Sequence, residues 1–198
     1  MAIVVTDSCD VTLTSGYQMA DVSGAYSDLG QAFTSDYTGT VNKARVDIRR
    51  YGDPGGTVSL KIYDEAHVTA YGTDSLPTGA AIATSTARPV TDFAIGSYSY
   101  YEFTFDDTVS LTQGEYYFLA IDPAFVSSDL TTNYLRIGAV NTPASHDGNV
   151  GVIAYGGSWT SAALDLRFTV WVTEDNTLTV NIAASNPAYH IASPKLTP

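Results

Sequence analysis

Three histidines, one cysteine and a scatter of carboxylates are the groups in this chain that could ligate a metal or move a proton. His67, His146 and His190 show no pair at metal-ligand spacing, and Cys9 is distant from all three. A zinc site needs about four such ligands. Each histidine is therefore expected in a loop, and Cys9 as a small buried apolar residue. Asp106, Asp107, Asp122, Asp129 and Asp147 could meet at one end of a fold and hold calcium, which takes about six to eight oxygens. No EF-hand spacing accompanies them, and solvated turn aspartates are the alternative. Glycoside hydrolysis needs two carboxylates facing each other at a set separation. With 4 Glu and no cleft motif, a hydrolase ranks third among the functional readings. Leu76-Pro77-Thr78-Gly79 is read as a loop turn. A sortase signal would add a residue between Pro and Thr, a C-terminal position and a following apolar segment. Tyr98, Tyr100, Tyr134, Tyr155 and Trp159 are expected in or near loops, where aromatics stack on sugars or anchor protein interfaces.

The elements that must carry these groups read as strands. The 198 residues are 44% apolar and only 15% charged, with 25 Thr and 14 Tyr, two strand-favouring types. The 17 Asp suit turns, where the short side chain bonds nearby backbone. A net charge of −12 supplies no basic footprint for a phosphate backbone, so no nucleic-acid partner is expected. No stretch reaches the roughly 18 apolar residues of a membrane span, and no membrane partner is expected. One cysteine allows no intramolecular disulfide. The opening Ala2–Val5 run is too short for the apolar segment of a signal peptide. The protein is expected to stay in the cytoplasm where it is made, or to leave by cell lysis or inside an assembly.

Alternation places the strands. Ala44, Val46 and Ile48 face one way, Arg45, Asp47 and Arg49 the other. Asp53-Pro54-Gly55-Gly56 turns the chain into Val58, Leu60 and Ile62, and the two segments together read as a hairpin. Tyr101, Phe103 and Phe105 alternate with Glu102, Thr104 and Asp106. Tyr116–Ile121 is a continuous apolar run, the pattern of a strand buried on both faces. Leu164, Leu166, Phe168, Val170 and Val172 form the longest period-two pattern, with Asp165, Arg167, Thr169 and Trp171 opposite. Val46, Ile48, Leu60, Ile62, Phe103, Phe105, Leu119, Leu166 and Phe168 are the expected core. Residues 1–29 read as an N-terminal lead and 30–174 as the sandwich domain. Residues 175–198, with Pro187, Pro194 and Pro198, read as an extended C-terminal arm. Within the arm, Leu178, Val180 and Ile182 alternate with Thr177, Thr179 and Asn181, as an added strand would.

Six pieces in order carry a resemblance. They are Gly30-Gln31-Ala32-Phe33-Thr34; Val41–Tyr51 with its Gly52–Gly56 turn; Thr57–Tyr63; Leu76–Gly79 followed by Ile82–Thr86; Tyr101–Phe105, Val109–Thr112 and Tyr116–Ile121; and Gly156–Thr160 with Leu164–Phe168. This order resembles that of β-sandwich domains found in phage virion proteins and bacterial surface proteins, some termed choice-of-anchor domains. The resemblance spans about residues 30–173 and implies a fold similar to lectin-like jelly rolls. The family has no catalytic motif to carry over.

The expectation is an all-β, antiparallel, jelly-roll-like sandwich that works without catalysis. The leading function is a virion structural protein of capsid decoration or cement type. Its partners would be a major capsid protein or other virion subunits, and it would form a homo-oligomer within the assembly. The alternative is a carbohydrate-binding adhesin or receptor-binding subunit of a tail fibre. Leu178, Val180, Ile182, Tyr189, Tyr134, Tyr155 and Trp159 are the candidate interface residues. No cofactor is expected; calcium and a glycan are the ligands left open.

Overall fold

Alternating apolar residues bury one side of a strand and leave the other to polar groups, and here that rule builds almost the whole molecule. In the computed structural model the described residues are 1–106, 109–140, 146–154, 156–162 and 164–175. They form fifteen strands, one short 3-10 turn at Val90–Asp92 and no α-helix. The strands are β1 (Ile3–Cys9), β2 (Ser15–Met19), β3 (Tyr26–Thr34), β4 (Gly39–Tyr51), β5 (Thr57–Ala66), β6 (Leu76–Thr84), β7 (Arg88–Pro89) and β8 (Ser99–Thr104). There follow β9 (Ser110–Leu111), β10 (Tyr116–Ala124), β11 (Tyr134–Val140), β12 (Val150–Ala154), β13 (Trp159–Ala162), β14 (Asp165–Leu166) and β15 (Phe168–Glu174).

Pairing between the named strands is antiparallel except for one parallel contact, Met19 opposite Tyr26, between β2 and β3, and an isolated parallel bridge joins Arg50 of β4 to Ile95. One layer runs β1-β15-β4, with β8 on the other side of β4 and the β11–β2 pair beyond its far half. The second runs β13-β12-β3-β10-β5-β6. Two seams join the layers: the β2–β3 contact and a bridge between Ser85 and Phe105, where the Thr86 amide also donates to the Thr104 carbonyl at 2.9 Å. The result is an antiparallel β-sandwich.

The core lies between the layers. Ala44, Val46 and Ile48 from β4, Leu60 and Ile62 from β5, and Phe168, Val170 and Val172 from β15 are all fully buried. Phe33 of one layer meets Phe168 of the other at 6.3 Å between ring centroids. Every residue expected in the core, from Val46 to Phe168, is buried. Burying each large side chain contributes about 1.5–3 kcal/mol. β10 is buried on both faces from Tyr117 to Ile121, as its unbroken apolar run requires. Residues 1–29 supply β1, β2 and the start of β3 as strands of the same sheet.

Two sequence expectations are corrected. β4 and β5 do not form a hairpin: β4 pairs with β15, β8, β9 and β11, while β5 pairs with β10, β6 and β7. The Gly52–Gly56 turn carries the chain across the sandwich instead of folding it back. Leu76–Gly79 is no loop but the start of β6, with Pro77 opposite Glu65. β6 ends its layer, and an edge strand tolerates a residue without an amide hydrogen. The C-terminal arm, with Leu178, Val180, Ile182 and Tyr189, lies outside the described residues, as do Asp107 and Tyr155.

A cation–aromatic face, an open edge and a sealed histidine

β4 sends Lys43, Arg45, Asp47, Arg49 and Tyr51 to the outer side of its layer. Tyr100 and Glu102 of β8, Trp171 of β15, and Tyr134 and Arg136 of β11 sit beside them in register. The result is an interleaved field of cations and rings. The Arg45 and Arg167 guanidinium carbons lie 4.0 and 4.4 Å from the Tyr100 ring centre. Lys43 lies 4.8 Å from the centre of Trp171, and Arg49 4.3 Å from that of Tyr98. Tyr51 and Tyr134 stack at 4.4 Å. Each close cation–ring contact contributes on the order of 0.5–1 kcal/mol where partly exposed.

Carboxylates tie this field down. Arg167 reaches the Asp47 Oδ2 at 2.9 Å with Nη1 and the Asp10 Oδ1 at 3.0 Å with Nη2. The Tyr100 hydroxyl donates to the same Asp10 oxygen at 2.6 Å. That bond and Arg167 hold Asp10 below the usual carboxylate range. Asp47 goes the other way: its side chain is only 2% exposed, and burial raises its pKa against the opposing pull of Arg167. Five cations therefore share one outer face with three carboxylates, in a chain of net charge −12. Beside this field a cavity of about 240 Å³ opens between Leu13, Thr14, Ser15, Arg49, Tyr98 and Arg136.

β1 ends the layer. Ile3, Val4 and Val5 pair with Thr173, Val172 and Trp171, and on their other side meet no strand among the described residues. Ile3 is 55% exposed and Val5 44%. An apolar edge without lysine or proline is a template for another strand.

His146 stands in a loop, as expected, but the loop turns its side chain inward. It is nearly buried, and its ring meets the edge of Phe168 at 5.0 Å. Nδ1 accepts the Gly148 amide at 3.0 Å, and Nε2 faces both Asp7 oxygens at 3.0 and 3.1 Å. Both ring nitrogens are engaged within the protein, so neither is presented as a free base to the adjoining cavity of about 240 Å³ lined by Thr34, Asp36, Tyr71 and Asp147. Burial pulls the imidazole pKa down, but the bond and charge of Asp7, with Asp165 and Asp147, outweigh it, and the net shift is upward.

The remaining candidates disperse. His67 lies beside Glu65 at 3.1 Å. Asp106 accepts the Thr86 hydroxyl, Asp122 pairs with Lys61 at 2.8 Å, and Asp129 gathers the amides of Thr131, Thr132 and Asn133. Asp147 lies on the His146 cavity. Among the described residues no three His, Cys, Asp or Glu side chains assemble as a metal site. Cys9 is 3% exposed, in the core. Tyr134 and Trp159 open β11 and β13, and Tyr100 is the second residue of β8, so all three stand in strands next to loops, as expected. Tyr134 belongs to the cation–aromatic face. Trp159 belongs to the outside of the other layer, where it meets Phe118 edge-on at 5.3 Å. The sequence signal for the cationic face was the outward phase of Arg45, Asp47 and Arg49; the rings that interleave with them arrive from three other strands and the Tyr98 segment. No family model matches this chain, and neither a curated protein nor a solved structure does.

Proposed function

We propose that this protein is a non-enzymatic structural subunit of a virion, of the decoration or cement type, which stabilises a shell by strand addition. The observation that carries the reading is the open edge of β1, with Ile3 and Val5 exposed along it. Main-chain hydrogen bonds to an added strand give affinity, and alternate side chains give selectivity. Residues 177–182, outside the described residues, alternate in the manner such a strand needs, and a neighbouring copy could offer them to this edge. Many copies on one shell would turn modest contacts into strong avidity. Comparing shells with and without the protein under heat or osmotic shock tests the reading. Added protein should raise shell survival, and Val5→Lys, a charge on the edge, should remove the gain. Shells equally durable without the protein would end it.

A second reading, a glycan-binding receptor subunit, has its own observation: the cavity between Arg49, Tyr98 and Arg136, next to the stacked Tyr51–Tyr134 pair.

A further inference from the structure

The cavity beside β2 and β11 is lined by donors. Arg49 and Arg136 bring two guanidinium groups, Tyr98 a phenol, Ser15 and Thr14 hydroxyls, and no carboxylate belongs to the lining. Arg136 is braced by its Nε, which donates to the Gly16 carbonyl at 3.2 Å, and Arg49 by an Nη1 bond to the Gly96 carbonyl at 3.1 Å. Two further polar atoms are buried and meet no hydrogen-bond partner among the described residues: the Arg49 Nε and the Tyr98 hydroxyl. A buried donor left unmatched is destabilising, and an acceptor that reached either one would relieve it. Burial raises the Tyr98 pKa against the pull of Arg49 and Arg136, so the phenol stays protonated and can donate. Gly16 makes room for it: the hydroxyl lies where a side chain at position 16 would begin.

We propose that this cavity binds the carboxylate of an acidic sugar, with Arg49, Arg136 and the Tyr98 hydroxyl as its donors. Planar guanidinium groups match a carboxylate with two parallel bonds. A cavity of about 240 Å³ is below the usual range for drug-sized ligands and suits a single sugar ring. The hydroxyls of Ser15 and Thr14 line the wall that ring hydroxyls would meet. Aromatic surface continues outward, because the Arg49 guanidinium carbon lies between Tyr98 and Tyr51, 4.3 and 5.0 Å from their ring centres. Tyr51 stacked on Tyr134 extends that surface for a neighbouring sugar. This extended ring surface favours an oligosaccharide over an acidic peptide. The site is separate in the sheet from the β1 edge, so the inference stands or falls independently of shell docking.

The test titrates the full chain with tetragalacturonate and with its methyl ester, by calorimetry and through the arginine Nε–H resonances. The acid should bind and shift the Arg49 resonance, and the ester, which lacks the charge and carries an added methyl on each carboxyl, should bind at least about tenfold more weakly. Tyr98→Phe should weaken the acid by roughly three- to tenfold, the loss of one hydrogen bond, while the free protein melts no lower and, having lost an unmatched buried hydroxyl, if anything higher. Arg136→Gln should abolish binding; should that variant fail to fold, the Tyr98→Phe and ester comparisons decide. Three results would overturn the proposal: acid and ester binding alike, no acid binding at millimolar concentration, or a tetraglutamate peptide binding as tightly as the sugar acid.

Discussion

On the outside of the β3–β10 layer, Phe118 lies across Gly30 and Gly151, which face each other in register on β3 and β12 and leave no space for a side chain beneath the ring. Trp159 then closes over Phe118, and Ala32, Ala120, Tyr63 and Tyr71 complete a small apolar cluster. On the outside of the β4–β8–β15 layer the same strand alternation places arginines, tyrosines, Glu102 and the nearly buried Asp47, with Asp10 beside them. Both surfaces shield backbone with rings. The first does so by a fixed interlock that only glycine permits, an apolar cluster with the Lys61–Asp122 pair and Asp28 beside it. The second does so by charge-paired side chains whose heads remain near solvent and can exchange partners. A sandwich has two outer faces, and here one is given to a packed apolar cluster while the other carries paired charges and rings.

The comparison breaks most sharply at Phe118. Phe118→Ala should cost about 3–5 kcal/mol in denaturant unfolding, as for a fully buried Phe. A loss below about 1 kcal/mol would make the glycine interlock incidental. On the opposite face Arg167→Met leaves the Asp47 carboxylate buried without its cation and should cost about 3 kcal/mol at pH 7. The double change Asp47→Leu with Arg167→Met should recover most of that, because removing both charges avoids the stranded one. Equal losses in the single and double variants would show that Arg167 acts through packing.

Smaller effects sharpen the contrast. His146→Gln removes a buried bond to a carboxylate and should cost roughly 1.5–3 kcal/mol. Because the folded imidazole has its pKa raised above the ordinary value, its stabilisation is complete below that ordinary value and fades as the pH rises through the folded one. Stability of the parent should therefore decline from slightly acid toward alkaline pH, and His146→Gln should flatten that slope in thermal melts. Tyr134→Ala on the cationic face should cost only about 0.5–1.5 kcal/mol, the value of a stacked pair. It should reduce uronate binding more than it reduces stability.

Much of the architecture was legible because period two needs no partner to be seen. Phe103 and Phe105, Leu166 to Val172 and the doubly buried Tyr117–Ile121 all announced their faces. Pairing was less legible. The β4–β5 turn looks like a hairpin turn, yet β4 finds β15 and β5 finds β10, choices made by the whole sheet and not by the five residues between them. Pro77 spoke against a strand until β6 proved to be an edge. His146 carried no spacing signal because its partner, Asp7, lies at the other end of the chain. The cavity proposed to bind a sugar acid was hidden for the same reason: Arg49, Tyr98, Arg136 and Ser15 come from four separate stretches.

The place of β15 between β1 and β4 has a consequence for biosynthesis. Of the strands among the described residues, β1 leaves the ribosome first and its ladder partner β15 last. Until residues 168–174 emerge, β1 has no strand of its own chain to pair with, and the exposed Ile3 and Val5 edge is accompanied by a second unpaired edge. Such distant pairing carries a loop-closure cost that slows folding and leaves nascent strands open to wrong partners. The Glu174 amide already donates to the Ala2 carbonyl at 2.9 Å. A circular permutant that joins Asp175 to Ala2 through a short turn would make β15 and β1 a local hairpin. It should fold faster than the parent to the same sandwich.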